Sequence, residues 1–180
     1  MATVQASGVV DMSGVVGSML ASYRAVLVEY RRMVTGDVAA LTSAAGRHAD
    51  QASTVDSSRD ELRGRASRLG GSWQGDAYRA FHASVARQAG ALTELGAVLR
   101  AQSQSLGGAA NALRAAQSTM DNLVSWFDQQ ARALIAQSAA AAAGAASAFT
   151  DAARQLGESA VAAARQCAQR LGETLTQLFA

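Results

Sequence analysis

Ser72-Trp73-Gln74-Gly75 lies between two long stretches that contain no proline and have the composition of helices. Glycine allows the backbone to reverse direction, and a neighbouring indole supplies a large apolar surface to close the end of a hairpin. The chain has only two tryptophans. The tetrapeptide therefore predicts the turn of a helical hairpin and makes Trp73 a candidate recognition residue.

The composition favours an all-α fold. The 180 residues are 49% hydrophobic but only 5% aromatic, and alanine is abundant. Aromatic and β-branched residues, which strands favour, are too sparse for a sheet. Burial contributes about 25 cal/mol per Å² of apolar surface, so an alanine-rich seam gains little and favours a partner helix. We predict an elongated antiparallel helical hairpin, extended by further N- and C-terminal helices.

The charge pattern argues against nucleic-acid binding. The 16 basic residues, all arginine, nearly balance the 14 acidic ones, and the formal net charge is +2. A polyanion-binding protein would show a basic stripe. The densest basic patch is interleaved with acidic residues, which favours a solvated face: Arg59, Asp60, Glu61, Arg63, Arg65 and Arg68.

Few residues suit catalysis or metal binding. The single cysteine, Cys167, excludes an internal disulfide, and His48 and His82 are the only histidines. We expect Cys167 to be a small apolar residue of the last helix, with an intermolecular disulfide as the alternative. The two histidines are expected to approach one another across the hairpin arms. The sequence has no phosphate loop or zinc-protease motif, so we expect no enzyme, no cofactor and no metal.

Apolar residues before the turn alternate in steps of three and four, as in a heptad seam. They are Val16, Leu20, Tyr23, Leu27, Tyr30, Val34 and Leu41. Gly36-Asp37 marks a break between two helices, because glycine closes a helix and aspartate caps the next.

The second arm begins after the turn, where Asp76 is placed to cap free backbone N–H groups. Gly107-Gly108 interrupts the apolar pattern of this arm and predicts a bend or a helix break. Further along, Trp126-Phe127 anchors the last segment onto the bundle or docks a partner, and we favour the anchor.

These features divide the chain into three parts. Residues 1–36 form an N-terminal helical extension, 37–120 the hairpin, and 121–180 an alanine-rich C-terminal segment. The first ten residues lack the pattern of a secretory leader, so export would proceed without a cleavable signal peptide. The uncharged stretch 133–150 approaches membrane-spanning length, but its residues gain little from lipid and favour a packed helix.

The stretch Gly71-Ser72-Trp73-Gln74-Gly75-Asp76-Ala77-Tyr78-Arg79-Ala80-Phe81 resembles the turn of the WXG superfamily of type VII secretion substrates, which includes proteins like the early secreted antigenic target. Ala77, Ala80 and Phe81 match the small and aromatic positions that follow the family's Ser-Trp-Xaa-Gly turn. The resemblance covers approximately residues 37–120.

The resemblance implies two paired hairpins in a four-helix bundle, as a homodimer or with a similar partner. It also implies export in folded form by an ATPase-driven membrane machine, with Ser72, Trp73 and Gly75 as the recognition turn. The helical spacing behind the turn supplies a candidate pairing seam: Tyr78, Phe81, Val85, Leu92, Leu95 and Leu99.

The sequence departs from the family at one point. The family signal Tyr-Xaa-Xaa-Xaa-Asp/Glu is missing, because Tyr23, Tyr30 and Tyr78 are followed four residues later by leucine, valine and histidine. A partner chain is therefore expected to supply that motif.

Three functional hypotheses remain. The first is a secreted or cell-envelope substrate or helper of a type VII secretion system, which acts through helix pairing. The second is a membrane-active or envelope-associated protein whose C-terminal helix contacts the membrane. The third, weaker, hypothesis is a structural coiled-coil protein of the cytoplasm.

Overall fold

The computed structural model describes residues 12–140 and 145–180, which form four α-helices. They are α1 (Met12–Met33), α2 (Val38–Leu69), α3 (Asp76–Ala140) and α4 (Ala146–Phe179). No strand occurs in these two ranges, and the all-α prediction is confirmed. The prediction about the leader region falls outside the described residues.

The predicted break at Gly36-Asp37 is confirmed. The side chain of Asp37 caps α2 by accepting a hydrogen bond from the amide of Ala40, at 2.8 Å. On the other side of the break, the amide of Gln117 donates to the carbonyls of Val34 (3.3 Å) and Gly36 (3.0 Å). Both ends of the link are thus held by side chains that satisfy free backbone groups.

Of the two alternatives predicted at Gly107-Gly108, a bend or a helix break, the break is wrong. Helix α3 continues for 65 residues through both glycines. A Cβ atom at Gly108 would lie 2.9 Å from Cδ2 of Leu178, so this glycine lets the end of α4 approach α3 closely. Glycine lowers helix propensity by about 1 kcal/mol, but packing along a long helix overrides that local cost.

The chain divides into two compact units, and α3 contributes to both. The first unit takes in the chain up to Gly36 and Ala112–Thr176. It contains α1, the later part of α3 and most of α4. The second unit takes in Asp37–Asn111 and Gln177–Ala180. It contains α2, the earlier part of α3 and the end of α4.

The first unit buries large side chains between its helices. Four members of the predicted heptad seam are buried, namely Val16, Leu20, Leu27 and Val34. Phe127 and Met120 of α3 are fully buried as well. Helix α4 contributes mainly small residues, which include Ala153, Gly157, Ala160 and Ala164. At Gly157 the ring of Tyr23 occupies the space that a Cβ atom would need.

Two ion pairs join α1 to α3 in this unit. Arg24 Nε lies 2.8 Å from Asp128 Oδ1, and Arg31 Nε lies 2.7 Å from Asp121 Oδ1. The hydrogen bond from Arg24 and its charge lower the pKa of Asp128, against a smaller opposing effect of burial. The pairs sit one heptad apart on both helices, as expected for two helices that run antiparallel side by side.

The second unit has a thin seam of mostly small residues. Its buried apolar positions are Ala52, Ala66, Val85, Ala89, Ala109 and Ala110. Between the arms, Ser103 Oγ donates to the carbonyl of Ala45 at 2.8 Å, and Arg100 pairs with Asp56. Asp56 also pairs with Arg59. The arms are thus held by polar contacts as well as by a narrow apolar strip.

The uncharged stretch 133–150 is not one helix, which corrects the prediction. Helix α3 ends at Ala140 and α4 begins at Ala146, while residues 141–144 lie outside the described part. Within the part that is described, no helix has the length and apolar character needed to cross a membrane.

Candidate functional site

The turn between α2 and α3 is built around one carbonyl group. Leu69 O accepts hydrogen bonds from the amides of Ser72 (3.1 Å) and Trp73 (2.9 Å), and from Ser72 Oγ (3.3 Å). These bonds satisfy a carbonyl at the end of α2 that has no partner within the helix. They also fix the backbone at Trp73, so the indole leaves the turn from a defined position.

Gly75 supplies the backbone reversal. Its φ of +97° is the only positive φ among residues 12–140 and 145–180. L side chains rarely adopt this conformation, so the glycine is required by the turn itself. The carbonyl of Gly75 then accepts from the amide of Arg79 at 3.1 Å, which forms the first turn of α3.

Asp76 has a different role from the predicted cap. It is the first residue of α3, and its carboxylate pairs with the guanidinium of Arg79. Its negative charge still lies in the first turn, where the helix dipole favours an acidic residue.

Trp73 packs on two aromatic rings of α3 and remains partly exposed. Its ring centroid lies 6.1 Å from that of Tyr78, edge to face, and 5.5 Å from that of Phe81. The residue is nevertheless 41% exposed. Gly70 leaves space for the hydroxyl of Tyr78, because a Cβ atom there would collide with it. The turn therefore holds the indole in place and presents part of it to solvent.

The predicted pairing seam divides between two faces of α3. Val85 is buried, while Tyr78, Phe81, Leu92 and Leu99 are half-buried. Leu95 is 47% exposed. Sequence reasoning missed Val98, which lies three residues after Leu95 and is 52% exposed. The signal in the sequence was the spacing of three residues between Leu95 and Val98, which places both side chains on the same face of the helix.

The two histidines do not meet, so the predicted approach is wrong. His82 lies near the turn, with its ring centroid 5.8 Å from that of Tyr78. His48 lies one turn along α2 from Ala45, which pairs with Ser103 much further along α3. The distances from the turn along the two arms differ because His48 precedes Trp73 by many more residues than His82 follows it. The imidazole Nδ1 of His48 is buried without a hydrogen-bond partner among the described residues.

Trp126 and Phe127 have separate surroundings. Phe127 is fully buried in the first unit, as an anchor should be, whereas Trp126 is 42% exposed. The prediction treated the pair together, but adjacent helical residues point about 100° apart.

Cys167 lies in α4, half-buried, with Sγ 3.7 Å from the carbonyl oxygen of Ala116. Burial raises the pKa of the thiol, which disfavours the nucleophilic thiolate form. Cys167 was predicted to be a small apolar residue of the last helix, and it lies in that helix.

Comparison with known proteins finds one family match. Residues 34–118 match the model of the WXG100 family, described as "Proteins of 100 residues with WXG". Neither the curated proteins nor the solved structures show a match. The matched range contains α2, the turn and the first part of α3, and it includes Trp73 and Gly75. The hairpin of α2, the turn and the first part of α3 is therefore a WXG100-type region, and WXG100 proteins are small helical proteins associated with type VII secretion.

Proposed function

We propose that this protein is a non-enzymatic substrate or helper of a type VII secretion system, located outside the cytoplasm or in the cell envelope. It acts through pairing with another helical hairpin, and its turn is the end that the export machinery recognises. The observation that carries this proposal is the partly exposed indole of Trp73, held by two rings at a turn that belongs to the WXG100 region.

The turn has the physical properties of a docking site. Burying an indole is favourable, so an exposed one in a small helical unit is available to a partner. The rings of Tyr78 and Phe81 restrict the motion of Trp73, which reduces the entropy lost when a partner binds. Tryptophan is also the residue type most enriched among those that dominate binding energy.

The chain's tyrosines support the need for a partner. Tyr23 packs at Gly157, and the hydroxyl of Tyr30 accepts a hydrogen bond from Arg165 at 3.3 Å. Tyr78 packs against Trp73. Each tyrosine thus has an internal contact, and none begins the family's tyrosine motif. A second hairpin that carries this motif would complete the export signal.

The test compares the chain's two tryptophans, which have nearly equal exposure. Trp73→Ala and Trp126→Ala are expressed in a host with an active type VII system, and the exported fraction is measured. A residue that dominates binding contributes at least about 2 kcal/mol, so we expect Trp73→Ala to reduce export more than tenfold. Trp126→Ala, outside the WXG100 region, should be exported normally.

Circular dichroism on both purified variants controls for folding. Equal export of the Trp73→Ala variant and the native chain would contradict the proposed role of the turn.

A further inference from the structure

A cleft of about 490 Å³ opens between α3 and α4 in the first unit. Residues 112–119 of α3 supply one wall, and residues 163–174 of α4 supply the other. The lining positions recur in steps of three and one, so they occupy one face of each helix. The helices touch at the floor of the cleft, where Cys167 Sγ lies 3.7 Å from the carbonyl oxygen of Ala116.

Small side chains keep the cleft open and limit its length. The wall of α3 contains only alanine and threonine: Ala112, Ala115, Ala116 and Thr119. Seven residues after Thr119, the same heptad position holds Trp126, so the run of small residues ends there. The wall of α4 is roughly 17 Å long at 1.5 Å per residue. The volume lies within the roughly 300–1,000 Å³ of small-molecule sites, and a partner helix would need a longer furrow.

Arg170 is the single charged residue of this lining. It is exposed and forms no ion pair within residues 12–140 and 145–180, although the exposed Glu173 lies only three positions further along α4. Burial raises the pKa of the Cys167 thiol, and the positive charge of Arg170 lowers it by a smaller amount. The guanidinium is therefore close enough to act on the floor of the cleft.

These features define the class of ligand. An apolar chain gains free energy by covering the alanine methyl groups and the side chain of Leu171 at the floor. A carboxylate matches the fork of the Arg170 guanidinium, which can donate two parallel hydrogen bonds to it. A cationic head group would be repelled, and a neutral one would form weaker hydrogen bonds. The cleft is thus complementary to a single-chain molecule with an anionic head.

We propose that the cleft between α3 and α4 binds a long-chain carboxylate, whose apolar chain lies between the two walls and whose head group pairs with Arg170. This site is a function additional to helix pairing and to the turn at Trp73.

The test uses Cys167, the single cysteine of the chain, to report occupancy of the cleft. The full-length protein is alkylated with N-ethylmaleimide at fixed pH, and the rate is followed by mass spectrometry. Dodecanoate, added below its micelle concentration, should cover the thiol and slow the reaction. Dodecyltrimethylammonium has the same apolar chain and the opposite charge, and it should give no protection at equal concentration.

Arg170→Gln removes the contact with the head group at an exposed helical position. We expect the dodecanoate concentration that gives half protection to rise about tenfold. Arg63→Gln is the matched control, because Arg63 is exposed on α2 in the second unit and should leave this concentration unchanged. Each variant is compared with its own rate without ligand, since Arg170 also affects the pKa of the thiol.

Ala163→Leu and Ala162→Leu test the shape of the site. Both residues are exposed on α4, but only Ala163 lines the cleft. The larger side chain at 163 takes space that the ligand needs, so half protection should require about ten times more dodecanoate. Ala162→Leu adds the same side chain outside the cleft and should behave like the native chain.

Protection by the cationic amphiphile, or protection that is unchanged in Arg170→Gln, would overturn the proposal. Protection by vesicles of anionic phospholipid but not by dodecanoate would assign the cleft to a membrane surface and overturn it as well. An alkylation rate that falls with protein concentration alone would show that a second copy covers the cleft, with the same consequence. None of these outcomes depends on export of Trp73→Ala, so the two proposals fail separately.

Discussion

Replacing Gly75 by alanine tests whether the turn depends on backbone conformation alone. A Cβ atom at this position meets no other atom within 4 Å, so the substitution creates no collision. The φ of +97° remains unfavourable for an L residue. That strain costs about 1–2 kcal/mol. We expect Gly75→Ala to lower the free energy of unfolding of the hairpin by this amount.

Gly71 is the matched control in the same turn. A Cβ atom there would lie 3.6 Å from the carbonyl oxygen of Arg68, an ordinary contact, and its φ is not positive. Gly71→Ala should therefore change stability by less than about 0.5 kcal/mol, as for most surface substitutions. Gly75→Asn should fall between the two alanine variants, because asparagine tolerates positive φ better than alanine.

The assay is urea unfolding of the full chain followed by far-ultraviolet circular dichroism. The midpoints of Gly75→Ala and Gly71→Ala are compared at equal slope, so that the difference reports stability. The native helix content of both should match that of the unmodified protein. The reasoning is refuted when the two alanine variants unfold at the same urea concentration.

Two further changes probe the first unit. Gly157→Ala places a methyl group in the space of the Tyr23 ring and should cost about 1–3 kcal/mol in thermal or urea unfolding, whereas Gly172→Ala has open space and should be neutral or slightly stabilising. Equal stability of the two variants would show that the ring moves aside freely. Because Arg24 lowers the folded-state pKa of Asp128, their stabilising interaction is present above the carboxyl group's ordinary pKa of about 3.9 and is lost as the pH falls through the lower folded value. Asp128→Asn should therefore be less stable than the native chain near neutral pH, and a pH series of melting temperatures should show this difference shrinking in acid; a constant difference would contradict the assignment.

Local sequence features predicted the ends of the helices well. Gly36-Asp37 and the Trp-Xaa-Gly turn each combine a backbone breaker with residues that satisfy free backbone groups. Such signals act over a few residues and can therefore be read without the fold. The early heptad seam was equally readable, because Val16, Leu20 and Leu27 recur at the helical period and are all buried.

Long-range packing limited the rest of the prediction. Helix α3 continues through Gly107-Gly108, and Gly108 packs against Leu178, which is distant in sequence. Periodicity alone also grouped Val85 with Leu95 as one pairing seam. Val85 and Leu95 lie on neighbouring faces of α3, and only the position of α2 shows which of the two faces is buried.

The sequence by itself determined the class of this protein: its alanine-rich, proline-free composition specifies helices, and Ser72-Trp73-Gln74-Gly75 specifies their hairpin turn. Only the tertiary structure decided which apolar side chains remain available. It buries Phe127 and exposes Trp126, and it covers Val85 while leaving Leu95 in solvent. The physical reason is that composition and turn chemistry act locally, whereas exposure depends on which helix face another helix covers.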